Sequence, residues 1–140
     1  MTTFRTSRQF PAKPNVVYAA FSEPSRLAKW WGPNGFSNTF QLFDFKQGGN
    51  WNFTMHGPDG KTYPNECVFT SIIENEEIVI KHLSQPQFDL SITLHESEVG
   101  TKVDWEQMFA AASFAIAIRH IVEPANEQNL DRWASAIQTG

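Results

Sequence analysis

The sequence predicts an α+β domain in which one antiparallel sheet is covered by helix. Three observations carry this: a period of two that runs almost unbroken from Phe36 to Ala110, turn chemistry wherever that run must reverse, and a switch to helical period after Phe109. With 140 residues, the chain is expected to form a single domain over residues 1–140.

The first element is a strand over 4–10, where Phe4, Thr6, Arg8 and Phe10 alternate against Arg5, Ser7 and Gln9, and Pro11 and Pro14 stop it. From Asn15, Val16, Val17, Ala20 and Phe21 recur at helical spacing, with Pro14 suited to the first turn because its missing N–H has no partner to lose there. Ser22-Glu23-Pro24 breaks that helix, and Leu27, Trp30 and Trp31 define a second short one ended by Gly32-Pro33. Six strands follow, over 36–45, 50–56, 61–73, 77–83, 87–95 and 101–109. Gly48-Gly49, Gly57-Pro58-Asp59-Gly60, Asn75-Glu76, Gln85-Pro86 and Val99-Gly100 supply the reversals, so consecutive strands should pair antiparallel. The terminal region reads as two helical segments, one striped by Phe114, Ile118 and Ile121 and the other by Asn126, Leu130, Trp133 and Ile137, with Pro124 a boundary or kink between them.

Composition excludes several classes. A net charge of -4 with scattered Lys and Arg provides no basic stripe for nucleic acid. The longest apolar run, 109–118, is too short for a membrane span, which needs about 20 residues. Met1 to Arg5 shows no secretory pattern and Cys67 is a lone cysteine, so a cytoplasmic location is expected. His56, His82, His95 and His120 are widely spaced with no metal-ligating pattern, and Gly48-Gly49 lacks phosphate-loop context, so neither metal nor cofactor is expected.

Rings are dense between Trp30 and Phe53, where Trp30, Trp31, Phe36, Phe40, Phe43, Phe45, Trp51 and Phe53 exceed what closing a small core requires and suggest a lined interior space. Strand parity sends Trp51, Phe53 and Met55 inward, with Phe88, Leu90, Ile92 and Leu94 as a second inward row and Val103, Trp105, Gln107 and Phe109 as a third. Each alone is an ordinary core residue. Together with four polar residues of inward parity, Asn65, His82, Gln107 and Asn126, they describe an apolar pocket with a few placed polar groups. An unpaired buried amide costs about 1–3 kcal/mol, so those four need water, a ligand or one another. Cys67 shares the inward parity and reads as a small core hydrophobe, while the Asp104 and Glu106 carboxylates read as a solvated face.

Trp30-Trp31-Gly32-Pro33, the strand entry Asp44…Gly48-Gly49-x-Trp51-x-Phe53, the Gly57-Pro58-Asp59-Gly60 hairpin and Leu130-Asp131-Arg132 resemble the Aha1-like domain, named for the activator of Hsp90 ATPase homologue 1, within the START-like or SRPBCC superfamily. The likeness covers nearly the whole chain. It implies a helix-grip (START/Bet v 1-like) fold: a curved seven-stranded antiparallel sheet around a long C-terminal helix, two short helices after the first strand, and a cavity between. Where similar sequences carry Gly-Trp entering the last helix and Leu one turn after Leu130, this chain has Ala125-Asn126 and Trp133.

The favoured reading is a binding domain for a small apolar or aromatic ligand, contacted by Trp31, Trp51, Phe53, Met55, Trp105, Phe114, Leu130 and Trp133 and oriented by Asn65, His82, Gln107 and Asn126. The resemblance also implies two alternatives: a co-chaperone-type interaction module with a chaperone partner, and an aromatase/cyclase-like enzyme with His82 as general acid/base. Catalysis is not required by any residue pattern. The apolar stretch 111–122 fits either a cavity cap or a dimer contact, leaving monomer and homodimer both open.

Overall fold

The computed structural model describes residues 2–139. Strand β1 (Thr2–Phe10) leads into helices α1 (Pro14–Ser22) and α2 (Pro24–Trp30), then β2 (Ser37–Phe43), β3 (Asn50–His56), β4 (Thr62–Ile73), β5 (Glu77–His82), β6 (Phe88–Ser97), β7 (Gly100–Phe109) and α3 (Ala112–Thr139). The seven strands form one curved antiparallel sheet in the order β1-β7-β6-β5-β4-β3-β2, so every neighbour except β1 is joined by a hairpin. This is the helix-grip α+β architecture that the sequence pattern and its resemblance predict.

Turn residues and bulges shape the curvature. Register shifts occur between Phe40 and Leu42 in β2 and between Phe69 and Ser71 in β4, each inserting a residue that bends its strand. At the β2–β3 reversal a side chain on Gly49 would meet the Asp44 carbonyl, so only glycine fits there. Alternation then decides burial: Trp51 and Phe53 in β3, Ile78, Ile80 and His82 in β5, Leu90, Ile92 and Leu94 in β6, and Val103, Trp105, Gln107 and Phe109 in β7 all face inward.

Helix α3 is one continuous helix of 28 residues with Pro124 inside it, so of the boundary or kink expected at Pro124 the boundary is absent. Pro124 and His120 both lie on the exposed side, where water can serve the carbonyl that lost its N–H partner. The first half also presents a different stripe from the one periodicity suggested. Ala115 is buried, with Ile118 and Val122 packed beside it against Phe4 and Phe109, whereas Phe114 and Ile121 face solvent. In α1 the same correction applies to Val16, which is exposed while Tyr18 is buried.

The C-terminal half of α3 is anchored by three devices. Trp133 is fully buried, stacks on Trp30 at 4.8 Å between centroids and donates its indole N–H to the Val17 carbonyl at 3.1 Å. Arg8 of β1 reaches Asp131 at 2.6 Å and Glu127 at 2.9 Å. Arg132 caps the turn after α2: Nη1 donates to the carbonyls of Trp31 (3.3 Å), Gly32 (3.0 Å) and Pro33 (2.7 Å), and Nη2 to those of Lys29 (2.9 Å) and Phe36 (2.9 Å).

Such a fork cannot be reproduced by an ammonium, which is a point charge on a flexible stem. We expect Arg132→Lys to lower the unfolding free energy by about 1–3 kcal/mol and Arg132→Met by about 2–4 kcal/mol, the carbonyls being left without donors. Urea unfolding monitored by tryptophan fluorescence checks the order. Equal stability of all three proteins would contradict the role of the cap.

Candidate functional site

The interior divides into a solid end and a hollow end. At the solid end the rings pack on one another: Trp51 lies 4.3 Å from Phe53 and 5.7 Å from Phe69 between ring centroids, and Phe21 touches Trp30, Trp31, Trp51 and Trp133. The hollow end is a cavity of ≈ 570 Å³ between the inner face of the sheet and the middle of α3. Trp31, Gly32 and Pro33 close one side, Phe53 and Met55 come from β3, Cys67 from β4, Ile80 from β5, Leu90 from β6, Trp105 and Gln107 from β7, and Ala125, Asn126 and Asn129 from α3. Thr62, Tyr63, Pro64, Gln85, Pro86 and Phe88 border the mouth.

Of the residues singled out from sequence, Trp31, Phe53, Met55, Asn65, His82, Trp105, Gln107 and Asn126 are brought together on this wall. Four are not. Trp51, Leu130 and Trp133 are fully buried in the solid end, behind the wall, because their neighbours are rings and α1 and leave no space beside them. Phe114 points away from the cavity, since the buried stripe of the first half of α3 runs through Ala115. The dense rings therefore mostly fill a core, and only a few face the hollow.

The four polar residues occur as two hydrogen-bonded pairs. Asn126 donates its amide to Gln107 Oε1 at 3.1 Å, tying α3 to β7 across the cavity. Either amide of such a pair can be the donor, so one carbonyl and one amino group stay turned from the bond whichever orientation holds. His82, paired with Cys67 in the β4–β5 register, has Nδ1 2.8 Å from the Pro86 carbonyl and Nε2 2.6 Å from Asn65 Oδ1. Its ring stacks on Phe88 at 4.5 Å. Asn65 in turn donates to the Tyr63 carbonyl at 2.8 Å. With the Asn65 oxygen toward the ring, as the amide's donation to the Tyr63 carbonyl requires, both ring nitrogens face acceptors, and the Ser84 hydroxyl lies 3.4 Å from Nε2.

Burial pulls the His82 pKa below its ordinary value, and hydrogen bonds to the Pro86 and Ser84 backbone oppose that shift. The neutral ring is thus the form favoured at neutral pH. Burial pushes the Cys67 thiol up to about 12, which leaves it protonated and a poor nucleophile. Among the described residues no cluster of three or more His, Cys, Asp and Glu is placed to hold a metal ion, and no helix is long and apolar enough to cross a membrane.

Asn129 is a polar wall residue that the sequence pattern does not single out. Asn129 is buried and accepts the Gly32 N–H at 3.1 Å, and the φ of +98 at Gly32 lies in the region that favours glycine. Asn129 does sit one turn after Asn126 on α3, and that spacing was the only available signal.

A curved sheet gripping a long helix around an apolar hollow with paired polar groups defines a helix-grip protein of the START-like class. The comparisons agree. The model of the activator of Hsp90 ATPase homolog 1-like protein family matches residues 11–138, and the chain belongs to that family. A search of curated protein sequences finds no match. Among solved structures, the chain is similar to a protein of Chromobacterium violaceum (TM-score 0.85, 23% identity, 96% of each chain covered) and one of Arthrobacter aurescens (TM-score 0.89, 19% identity, 99% of this chain and 87% of that one). It is also similar to the AHSA1 protein of Silicibacter pomeroyi (TM-score 0.80, 18% identity, 99% of each chain). At these identities the likeness shows the fold alone.

Two outcomes follow from the buried groups. The depressed His82 pKa means that the unfolded chain binds the proton more readily, so stability present above about pH 6.5, the unfolded value, is lost as pH falls toward the lower folded value. The slope in that window should reach at most about 1.4 kcal/mol per pH unit, and His82→Gln should remove it in urea titrations compared pH by pH. For Cys67, alkylation by iodoacetamide at pH 8 should be much slower in the native protein than in urea, because the buried thiol stays protonated. Rapid modification of the native protein would show that the thiol is not shielded.

Proposed function

We propose that the chain is a binding domain for a small, uncharged, largely apolar or aromatic molecule held in the cavity between sheet and α3. The observation that carries this is the character of the wall: a space of ≈ 570 Å³ lined by rings and aliphatic groups, with Asn65, His82, Gln107, Asn126, Asn129, the indole N–H groups of Trp31 and Trp105 and a few groups at the mouth as its polar members. That volume lies within the range of small-molecule sites, roughly 300–1,000 Å³, and the combination of apolar surface with few converging polar groups is their usual chemistry.

Charge selects among ligands. No Lys, Arg, Asp or Glu lines the cavity, so a formally charged group would lose its hydration with no counter-ion to meet it. The Gln107–Asn126 pair offers an amide edge of each polarity, which fits a hydroxyl, carbonyl or amide on the ligand. Phe53 and Trp105 supply ring surface on which an aromatic portion can lie.

Displacement of an environment-sensitive apolar dye tests this reading. The wild-type protein should enhance dye emission and release the dye to uncharged aromatic competitors more readily than to carboxylates of the same shape. Ala125→Phe, which places a ring into the cavity from α3, should weaken dye binding at least about tenfold while the unfolding midpoint stays near that of the wild type. Undiminished binding in this variant would remove the cavity as the site.

A further inference from the structure

Beyond the cavity lies a second apolar depression of ≈ 410 Å³, formed where β7 passes into α3 and walled by Phe109, Ala110, Ala111 and Phe114. It shares Gln85 and Pro86 with the cavity, so the β5–β6 turn is a common partition between the two spaces. Rings run without interruption beneath that partition: His82 stacks on Phe88 at 4.5 Å, and Phe88 meets Phe109 at 5.3 Å. Phe114 is 43% exposed beside it, and no charged residue lines the groove.

We infer that this groove is the outer continuation of the binding site and receives an apolar tail that emerges from the cavity over Pro86. The inference rests on the cavity reading and narrows it: the ligand class is an elongated amphiphile with an uncharged polar or aromatic head and an unbranched apolar tail. The head lies among the paired amides. The tail crosses the turn and covers Phe114, whose ring otherwise holds apolar surface against water. The occupant is the ligand rather than a second chain because the groove is continuous with the cavity mouth and is a concave slot shaped by the same turn.

A homologous series of para-alkylphenols, ethyl through decyl, tests the inference by calorimetry on the intact chain. In the wild type each added methylene should tighten binding about threefold to fourfold, the gain from burying one CH₂, throughout the series. Phe114→Ser should leave the short members within about twofold and flatten the gain once the chain is long enough to pass Pro86. Ala110→Trp, which fills the groove from its floor, should do the same. A gain that stops at the same chain length in wild type and both variants, or that continues unchanged in all three, overturns the outer subsite while leaving the cavity site standing. No binding by any member, with no dye displaced, overturns both. Sedimentation showing a dimer that Phe114→Ser abolishes would assign the groove to a second copy of the chain and likewise overturn the inference.

Discussion

The guanidinium of Arg132, set among five carbonyl oxygens, ties the last turns of α3 to the segment between α2 and β2, and the hollow exists because of where that tie lies. The segment turns sharply through Gly32, and its carbonyls converge because no side chain intervenes. A charged planar fork satisfies several of them at once, which neutral donors on separate residues could do only by ordering more of the chain. With Trp133 stacked on Trp30 one residue further along, the end of the helix is fixed on the solid side of the interior. The middle of α3 is held to the sheet by side-chain bridges, Arg8 to Glu127 and Asn126 to Gln107, that leave residues 125, 126 and 129 facing the cavity.

Collapse of that space would be favoured by apolar burial alone, at about 25 cal/mol per Å². The polar pairs oppose it. Gln107 and Asn126 meet across the gap at hydrogen-bonding distance, and moving α3 closer would force the amides past each other or strip them of partners. His82 is likewise held by Pro86 on one side and Asn65 on the other, so the β5–β6 turn and β4 cannot close on each other without breaking short contacts. Hydrogen bonds whose net contribution to stability is small can still determine shape, because leaving any of these buried groups unpaired is the expensive alternative.

Strand faces were legible in the sequence because alternation has a period of two and tolerates no intermediate orientation: Trp51, Phe53, His82, Leu90, Trp105 and Gln107 all lie on the face that parity assigns. The same parity turned Asn65, His82 and Gln107 inward, whereas which polar group meets which depends on the fold. Helical faces were less legible. Phe114 and Ala115 differ by about 100° around α3, and choosing the larger side chain for the buried stripe put Phe114 inside where the smaller Ala115 permits close approach to Phe4 and Phe109. Pro124 suggested a break because its lost hydrogen bond is a local fact, whereas the continuity of the helix depends on solvent reaching His120. The rings misled for a related reason: composition counts Trp51 and Trp133 equally with Trp31 and Trp105, but only three-dimensional neighbours decide which ring faces another ring and which faces space.

The rings of the solid end and the Arg132 tie maintain the scaffold separately from the residues that face the hollow. Asn126 and Trp133 illustrate the separation. Trp133 lies on the scaffold side, where its indole N–H reaches Val17 and its ring meets Phe10, Phe21 and Trp30. Asn126, two helical turns earlier, lies on the cavity side and meets Gln107. On the proposed binding reading, a polar group at 126 bears on what the cavity recognises, while a ring at 133 strengthens the frame that holds 126 in place. The two positions thus serve different properties, recognition and support, on one continuous helix.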